Sequence, residues 1–178
     1  MSNSKTDRLQ SIGTIMALVI SVIAMISTIY QTSIMHTEQK ALVWPYLELS
    51  QQYDDQRFGF KVTNKGTGPA IVTSVQLDYK GKAMEHIDTL MNRINPKRNF
   101  GYNIMTNSSL NNQVFMSGEE KMVFSLPYND ETRIVLNSIK DVRVRIGYKS
   151  VLDEFWFFDS ETGKHKKEEF KASIEFKN

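Results

Sequence analysis

The 178 residues carry 22 basic and 20 acidic side chains, three histidines and no cysteine. The near balance removes the electrostatic case for nucleic acid as the main partner, and the missing thiols exclude disulfides, thiolate metal sites and cysteine nucleophiles. Less a tail and one apolar segment, roughly 140 residues remain, the usual size of a single domain.

Residues 1–11 are polar, too short to fold alone, and read as a cytoplasmic stub. Residues 12–30, IGTIMALVISVIAMISTIY, hold no charged side chain. At helical rise this run spans about 28 Å, close to the ~30 Å hydrocarbon thickness of a bilayer, so it reads as a transmembrane helix. A cleaved signal peptide has a shorter apolar core, about 7–15 residues, and a small-residue cleavage site. Here Tyr30, Gln31, Thr32, Ser33, Ile34 and Met35 end the run and follow it, which favours an uncleaved signal anchor. Lys5 and Arg8 precede the run, and Lys40 is the one basic residue soon after it. The positive-inside tendency then puts the N-terminus in the cytoplasm and the domain outside.

Gly13, Ala17, Ser21, Ala24 and Thr28 are spaced four, four, three and four apart. They form one stripe of small residues, a packing face through which two such helices can approach and self-associate. The alternative is that small residues are common in membrane helices and align by chance. Residues 31–41 lack Gly and Pro and suit a short stalk that continues the helix, leaving 42–178 as the folded domain.

Residues 42–50 alternate as a strand, placed at a sheet edge because Pro45 cannot donate to a ladder. In 57–63, Phe58, Phe60 and Val62 share one face. Asn64-Lys65-Gly66-Thr67-Gly68-Pro69 is dense in turn residues, with Gly allowing positive φ. Residues 70–80 form the next strand, Ile71, Thr73, Val75, Leu77 and Tyr79 on one face, so the two strands are expected to form a hairpin. Met84, Ile87, Leu90, Met91 and Ile94 follow helical spacing, and Pro96 sets the end. A long polar connection follows, with a short strand expected around Tyr102 to Met105. Val114 to Met116 and Lys121 to Leu126 read as strand, turn, strand. Residues 132–139 fit either a short helix capped by Asp130 or a strand. Strands at 142–149, 155–158 and 170–176 complete the chain. Seven or eight short strands separated by turns, with one or two short helices, indicate a mainly β protein built as an antiparallel sandwich.

The Asn64-Lys65-Gly66-Thr67-Gly68-Pro69-Ala70 stretch, the Ser117-Gly118-Glu119 turn and the Tyr148-x-x-x-x-Asp153 hairpin resemble those of uncharacterised bacterial single-pass membrane proteins carrying an immunoglobulin-like β-sandwich. The resemblance implies a bacterial envelope location, here the inner membrane, and supplies no activity.

Motifs that would carry chemistry are missing. His36, His86 and His165 are far apart and have no metal-ligand spacing. Gly66-Thr67-Gly68 lacks the Gly-Lys-Ser/Thr ending of a phosphate loop and opens no helix, and Gly-x-Ser-x-Gly is absent. Asp54-Asp55, Glu119-Glu120, Asp153-Glu154 and Glu168-Glu169 are adjacent pairs, whose side chains diverge in an extended chain. No cofactor or metal is expected. Arg143, Arg145 and Lys149 share a strand face, either a solvated side or a site for phosphate or lipid headgroups. In the run Phe155-Trp156-Phe157-Phe158 two rings must face away from the core. They lie under another element, the 84–94 helix or the last strand, or form an exposed partner site.

The sequence therefore favours a non-catalytic, membrane-anchored interaction module whose partners are the lipid bilayer and another membrane or envelope protein or ligand. Trp156, Phe158, Arg143 and Arg145 are its candidate surface. A cytoplasm-facing membrane sensor or effector, for example in phage defence, and an envelope enzyme whose site is assembled by long-range contacts are the alternatives.

Overall fold

A computed structural model describes residues 3–97, 109–130 and 132–177. The chain divides into two units, Met1–Ala41 and Leu42–Asn178. The first is helix α1, Asn3–Leu42. It runs unbroken through the segment expected to be an unfolded stub and through the stalk. Within Asp7–Leu42 the helix is long and apolar enough to cross a membrane: its most apolar 18 residues have mean hydropathy 2.4, and none of them is buried by the protein. Within it the hydroxyls of Thr14, Ser21 and Thr28 donate to the carbonyls of Gln10, Ala17 and Ala24 at 2.8–2.9 Å. A hydroxyl satisfied by its own helix can enter hydrocarbon without an open polar group.

The second unit is a sandwich-like pair of antiparallel sheets with short helices. β1 (Leu47–Tyr53), β2 (Arg57–Asn64) and β6 (Glu120–Pro127) form the smaller sheet in the order β1-β2-β6. The larger has β3 (Ala70–Tyr79), β4 (Lys82–Met84), β7 (Val142–Lys149), β8 (Phe155–Asp159) and β9 (Lys164–Lys166) in the order β4-β3-β7-β8-β9. β5 (Val114–Phe115) is added on β3. Helices α2 (Ile87–Ile94) and α3 (Arg133–Ser138) contact each other, and each buries one apolar side. The core lies between the sheets, with Phe58, Phe60, Val62, Phe124 and Leu126 on one side and Val75, Leu77, Val144, Ile146 and Tyr148 on the other. β1 is an edge strand as expected, but it starts at Leu47 rather than Leu42, which ends α1, and Pro45 lies in the connection between them.

The expected hairpin of the second and third strands does not form. β2 pairs with β1 and β6, whereas β3 pairs with β4, β5 and β7, so the turn between them crosses from one sheet to the other. Buried Asn64 is the pivot. Its amide nitrogen donates to the carbonyls of Gly68 and Phe115 at 2.8 and 2.9 Å, and its carbonyl accepts the N–H of Gly66 and Tyr46 at 3.0 and 3.2 Å. Gly66 and Gly68 serve close approach rather than positive φ. A Cβ on Gly66 would lie 2.3 Å from the Trp44 carbonyl oxygen, and one on Gly68 would lie 2.4 Å from the Val43 backbone. Likewise β5 and β6 belong to different sheets.

Other differences are local. Met84 belongs to β4, and α2 starts at Ile87. The 132–139 stretch is helical and starts from Thr132 rather than Asp130. A register shift between Val72 and Ser74 turns Val72, rather than Ile71 and Thr73, to the core. The strand expected near Tyr102 to Met105 lies outside the described residues.

The strand expected at 170–176 is an irregular strap across the outer face of the larger sheet. Phe170 stacks on Phe157 with ring centroids 5.4 Å apart, over Gly147. The N–H of Ala172 donates to the Ser74 hydroxyl at 2.8 Å, and that of Ser173 to the Gln76 side-chain carbonyl at 2.9 Å. The edge of β3 is paired by β5 at Ala70 and Ile71 and by β4 from Leu77 to Tyr79. Val75 falls in the gap: its N–H donates to the Glu175 carboxylate at 3.0 Å, and its carbonyl accepts the Phe176 N–H at 2.9 Å. Side-chain and backbone groups of the strap thus satisfy an edge that strand pairing leaves open.

Candidate functional site

The alternation of β7 places Arg143, Arg145, Gly147 and Lys149 on the outer face and Val144, Ile146 and Tyr148 on the inner one. β8 follows in register, Ile146 opposite Phe158 and Tyr148 opposite Trp156. Trp156 and Phe158 therefore face the core and are only 8% and 6% exposed. The exposed aromatic surface expected of them is absent, because the two rings turned outward are Phe155 and Phe157, and Phe157 is covered by Phe170. Arg143 and Arg145 do share the outer face, but each is engaged by an acid. Arg143 makes a bidentate pair with Asp159 (Nε–Oδ1 3.0 Å, Nη2–Oδ2 2.5 Å) and reaches Glu161 at 2.9 Å. Arg145 binds Asp78 at 2.6 Å and lies over the Phe170 ring. The guanidinium of Arg143 holds the Asp159 carboxyl below the usual carboxylate range, and that carboxylate raises Arg143 in return.

An open groove of about 970 Å³ runs beside the free edge of β1, between it and β8–β9, and around the start of β7 onto the outer face. Tyr46, Leu49, Phe60, Phe158 and His165 line its apolar part, and Lys80, Asp141, Arg143 and Arg145 its polar part. Three of the four residues expected at a partner surface line it; Trp156 does not.

The apolar part is built around His165, one of the three histidines that lie far apart in the sequence. β9 pairs it with Phe158 and so directs it toward the core side, where it stacks on Tyr46 with centroids 4.0 Å apart. Tyr148 Oη meets His165 Nδ1 at 2.9 Å. The contact suits the neutral forms of both groups, in which either can donate and the other accept. Burial agrees: it pushes the Tyr148 hydroxyl well above the ordinary tyrosine range and lowers His165, against an opposing pull from Glu48.

Chemically, the groove offers aromatic faces, a neutral imidazole and ion pairs whose charges are already matched. Among the described residues no three His, Cys, Asp or Glu side chains converge as a metal site. Sequence reasoning missed the acids Asp78 and Asp159 and the Tyr46–His165–Tyr148 cluster. The two-residue period of Ser74, Gln76 and Asp78 opposite Arg143 and Arg145 was a readable signal for the first. Tyr46 and His165 are joined only through pairing with distant strands, for which the sequence carries no local mark.

A family model described as a domain of unknown function, DUF8453, matches residues 11–178. The chain belongs to this family. The DUF8453 match takes in the apolar helix together with the sandwich, so the pairing of the two is a property of the family model rather than of the sandwich alone. No curated protein and no solved structure matches the chain.

Proposed function

We propose that the chain is a single-pass membrane-anchored interaction module that binds without catalysis. In this reading residues 12–30 cross the inner membrane of a bacterial cell with the N-terminus in the cytoplasm. The sandwich, of the immunoglobulin-like type suggested by the resemblance, stands outside and holds another membrane or envelope protein, or a ligand, in the groove. The observation that carries it is the apolar helix within Asp7–Leu42, whose most apolar 18 residues the protein leaves unburied; a surface of that kind is stable in lipid and unstable in water. The orders β1-β2-β6 and β4-β3-β7-β8 support the immunoglobulin-like reading, since they correspond to strands A-B-E facing C′-C-F-G. The matched ion pairs of Arg143 and Arg145 support recognition over proton transfer. The stripe of Gly13, Ala17, Ser21, Ala24 and Thr28 supports self-association in the membrane. It stays open, with nothing within 4 Å of a Cβ built on Gly13.

A photoreactive residue placed at exposed Gln51, on the groove, tests the reading in native membranes. One at Asn92, on the exposed side of α2, is the control. A discrete adduct from position 51 and none from position 92 is expected; no adduct from position 51 contradicts the proposed site. A reporter fused after Asn178 is expected to be active in the periplasm, and activity in the cytoplasm instead would turn the domain to the other side.

A further inference from the structure

Among the described residues, the large apolar side chains that the sandwich leaves exposed are gathered mainly at one end. Trp44, Val114, Met116, Val151 and Leu152 are 45–60% exposed. The pairings place them together. Leu47 opposes Asn64 at the start of β1, the Trp44 carbonyl accepts the Gly68 N–H at 3.2 Å, and the Ser117 hydroxyl donates to the Gly66 carbonyl at 2.6 Å. Ile71 opposes Val114 on one side and Lys149 on the other, which brings the β7–β8 tip to the same end. Tyr53 and Ile134 are at the far end, and Ile174 is on the strap.

Two rigid turns hold this apolar set outward. At the β7–β8 tip the Ser150 N–H donates to the Glu154 carbonyl at 2.9 Å, and the Ser150 hydroxyl accepts the Leu152 N–H at 3.1 Å. Val151 and Leu152 are presented at its apex, with Lys149–Asp153 and Lys167–Glu154 paired behind them. At the other turn the Glu119 carboxylate accepts the Met116 N–H at 2.8 Å. Ordered turns that expose Val, Leu, Met and Trp are costly in water and suit the boundary of a bilayer, where Trp in particular is enriched.

This is also the end where the chain arrives from α1, because Leu42 and Val43 precede Trp44 and Gly68 lies against Val43. The charge-free stretch of α1 runs from Leu9 to Thr37, 29 residues or about 43 Å of helix, which matches the ~40–45 Å of a bilayer with its headgroups. Leu42 is five residues further, about 8 Å of helix, and ordinary tilt shortens that.

We propose that this end of the sandwich docks on the surface of the same bilayer, with Trp44, Met116, Val151 and Leu152 at headgroup level. The proposal rests on the membrane-anchor reading. Docking of this kind fixes the height of the groove above the lipid and so restricts its partner to one that also lies at the membrane.

The chain has no cysteine, so single thiols can be placed in the full-length protein at Leu152→Cys, Ile134→Cys and Ile20→Cys and labelled with an environment-sensitive nitrobenzoxadiazole dye. In phosphatidylcholine nanodiscs the labels at positions 152 and 20 are expected to brighten several-fold and to be quenched by doxyl-labelled lipid, and the label at 134 is not. If position 20 is quenched and position 152 behaves like 134, docking is refuted while the anchor stands. If neither is quenched, the anchor reading fails and docking with it. If position 152 is shielded in proportion to chains per disc and untouched by doxyl lipid, a second copy covers the patch and the proposal is overturned.

Discussion

The two faces of the larger sheet are both covered, by opposite means. The inner face presents Val75, Leu77, Ile146, Tyr148, Trp156 and Phe158 to the smaller sheet, and what holds it is removal of apolar surface from water. The outer face carries Ser74, Gln76, Asp78, Arg143, Arg145 and Asp159 and is closed by ion pairs and by a strap joined through side-chain hydrogen bonds. The first face is non-directional and tolerant in chemistry but not in volume. The second is specific in geometry and sensitive to charge, and its cover reaches the core at Phe176.

Substitutions can break that distinction. Ile146→Ala, at a fully buried inner position, should cost about 3–4 kcal/mol in urea unfolding followed by the fluorescence of buried Trp156. Phe170→Ala, on the half-buried strap, should cost about 2 kcal/mol, leave the near-ultraviolet signal of the core intact and increase dye binding at uncovered Phe157. If it costs as much as the inner change and abolishes that signal, the strap is part of the core and the two faces are not distinct. Asp159→Asn should cost about 1 kcal/mol at neutral pH, modest because Arg143 is partly solvated and keeps Glu161.

The pH dependence sharpens the same contrast. The Asp159 carboxyl is depressed in the folded protein. Its contribution is therefore full above the ordinary aspartate value of about 3.9 and is lost as pH falls through the lower folded one. Asp159→Asn should flatten that acid limb. His165 is also lowered, by burial. Its neutral form is favoured in the fold, so stability is full above about pH 6.5 and declines as pH falls below it. His165→Gln should remove this smallest effect, and an unchanged slope between neutral and mildly acidic pH would show that burial does not hold the ring neutral.

These contrasts also explain what the sequence made legible. The apolar helix was plain from residues 12–30, since hydrophobicity without charge needs no tertiary context. The antiparallel strands were plain from the period of two in Phe58-Phe60-Val62 and Val142-Val144-Ile146. The sheet to which each strand belongs was not. A turn such as 64–69 looks the same whether it closes a hairpin or crosses the sandwich, and the choice lies in close backbone contact with Val43 and Trp44. Trp156 and Phe158 were misplaced for a related reason. A run of four aromatics has no polar alternation to mark its inner face, and the irregular strap that covers the other face satisfies β3 by scattered side-chain and backbone bonds rather than by a strand pattern.

The central claim is that the apolar helix remains in lipid and tethers the sandwich. Alkaline carbonate extraction of membranes containing the full chain, followed by intact-mass measurement, tests it most directly. The account predicts protein in the membrane pellet with a mass that includes residues 12–30; soluble protein lacking that segment would contradict it.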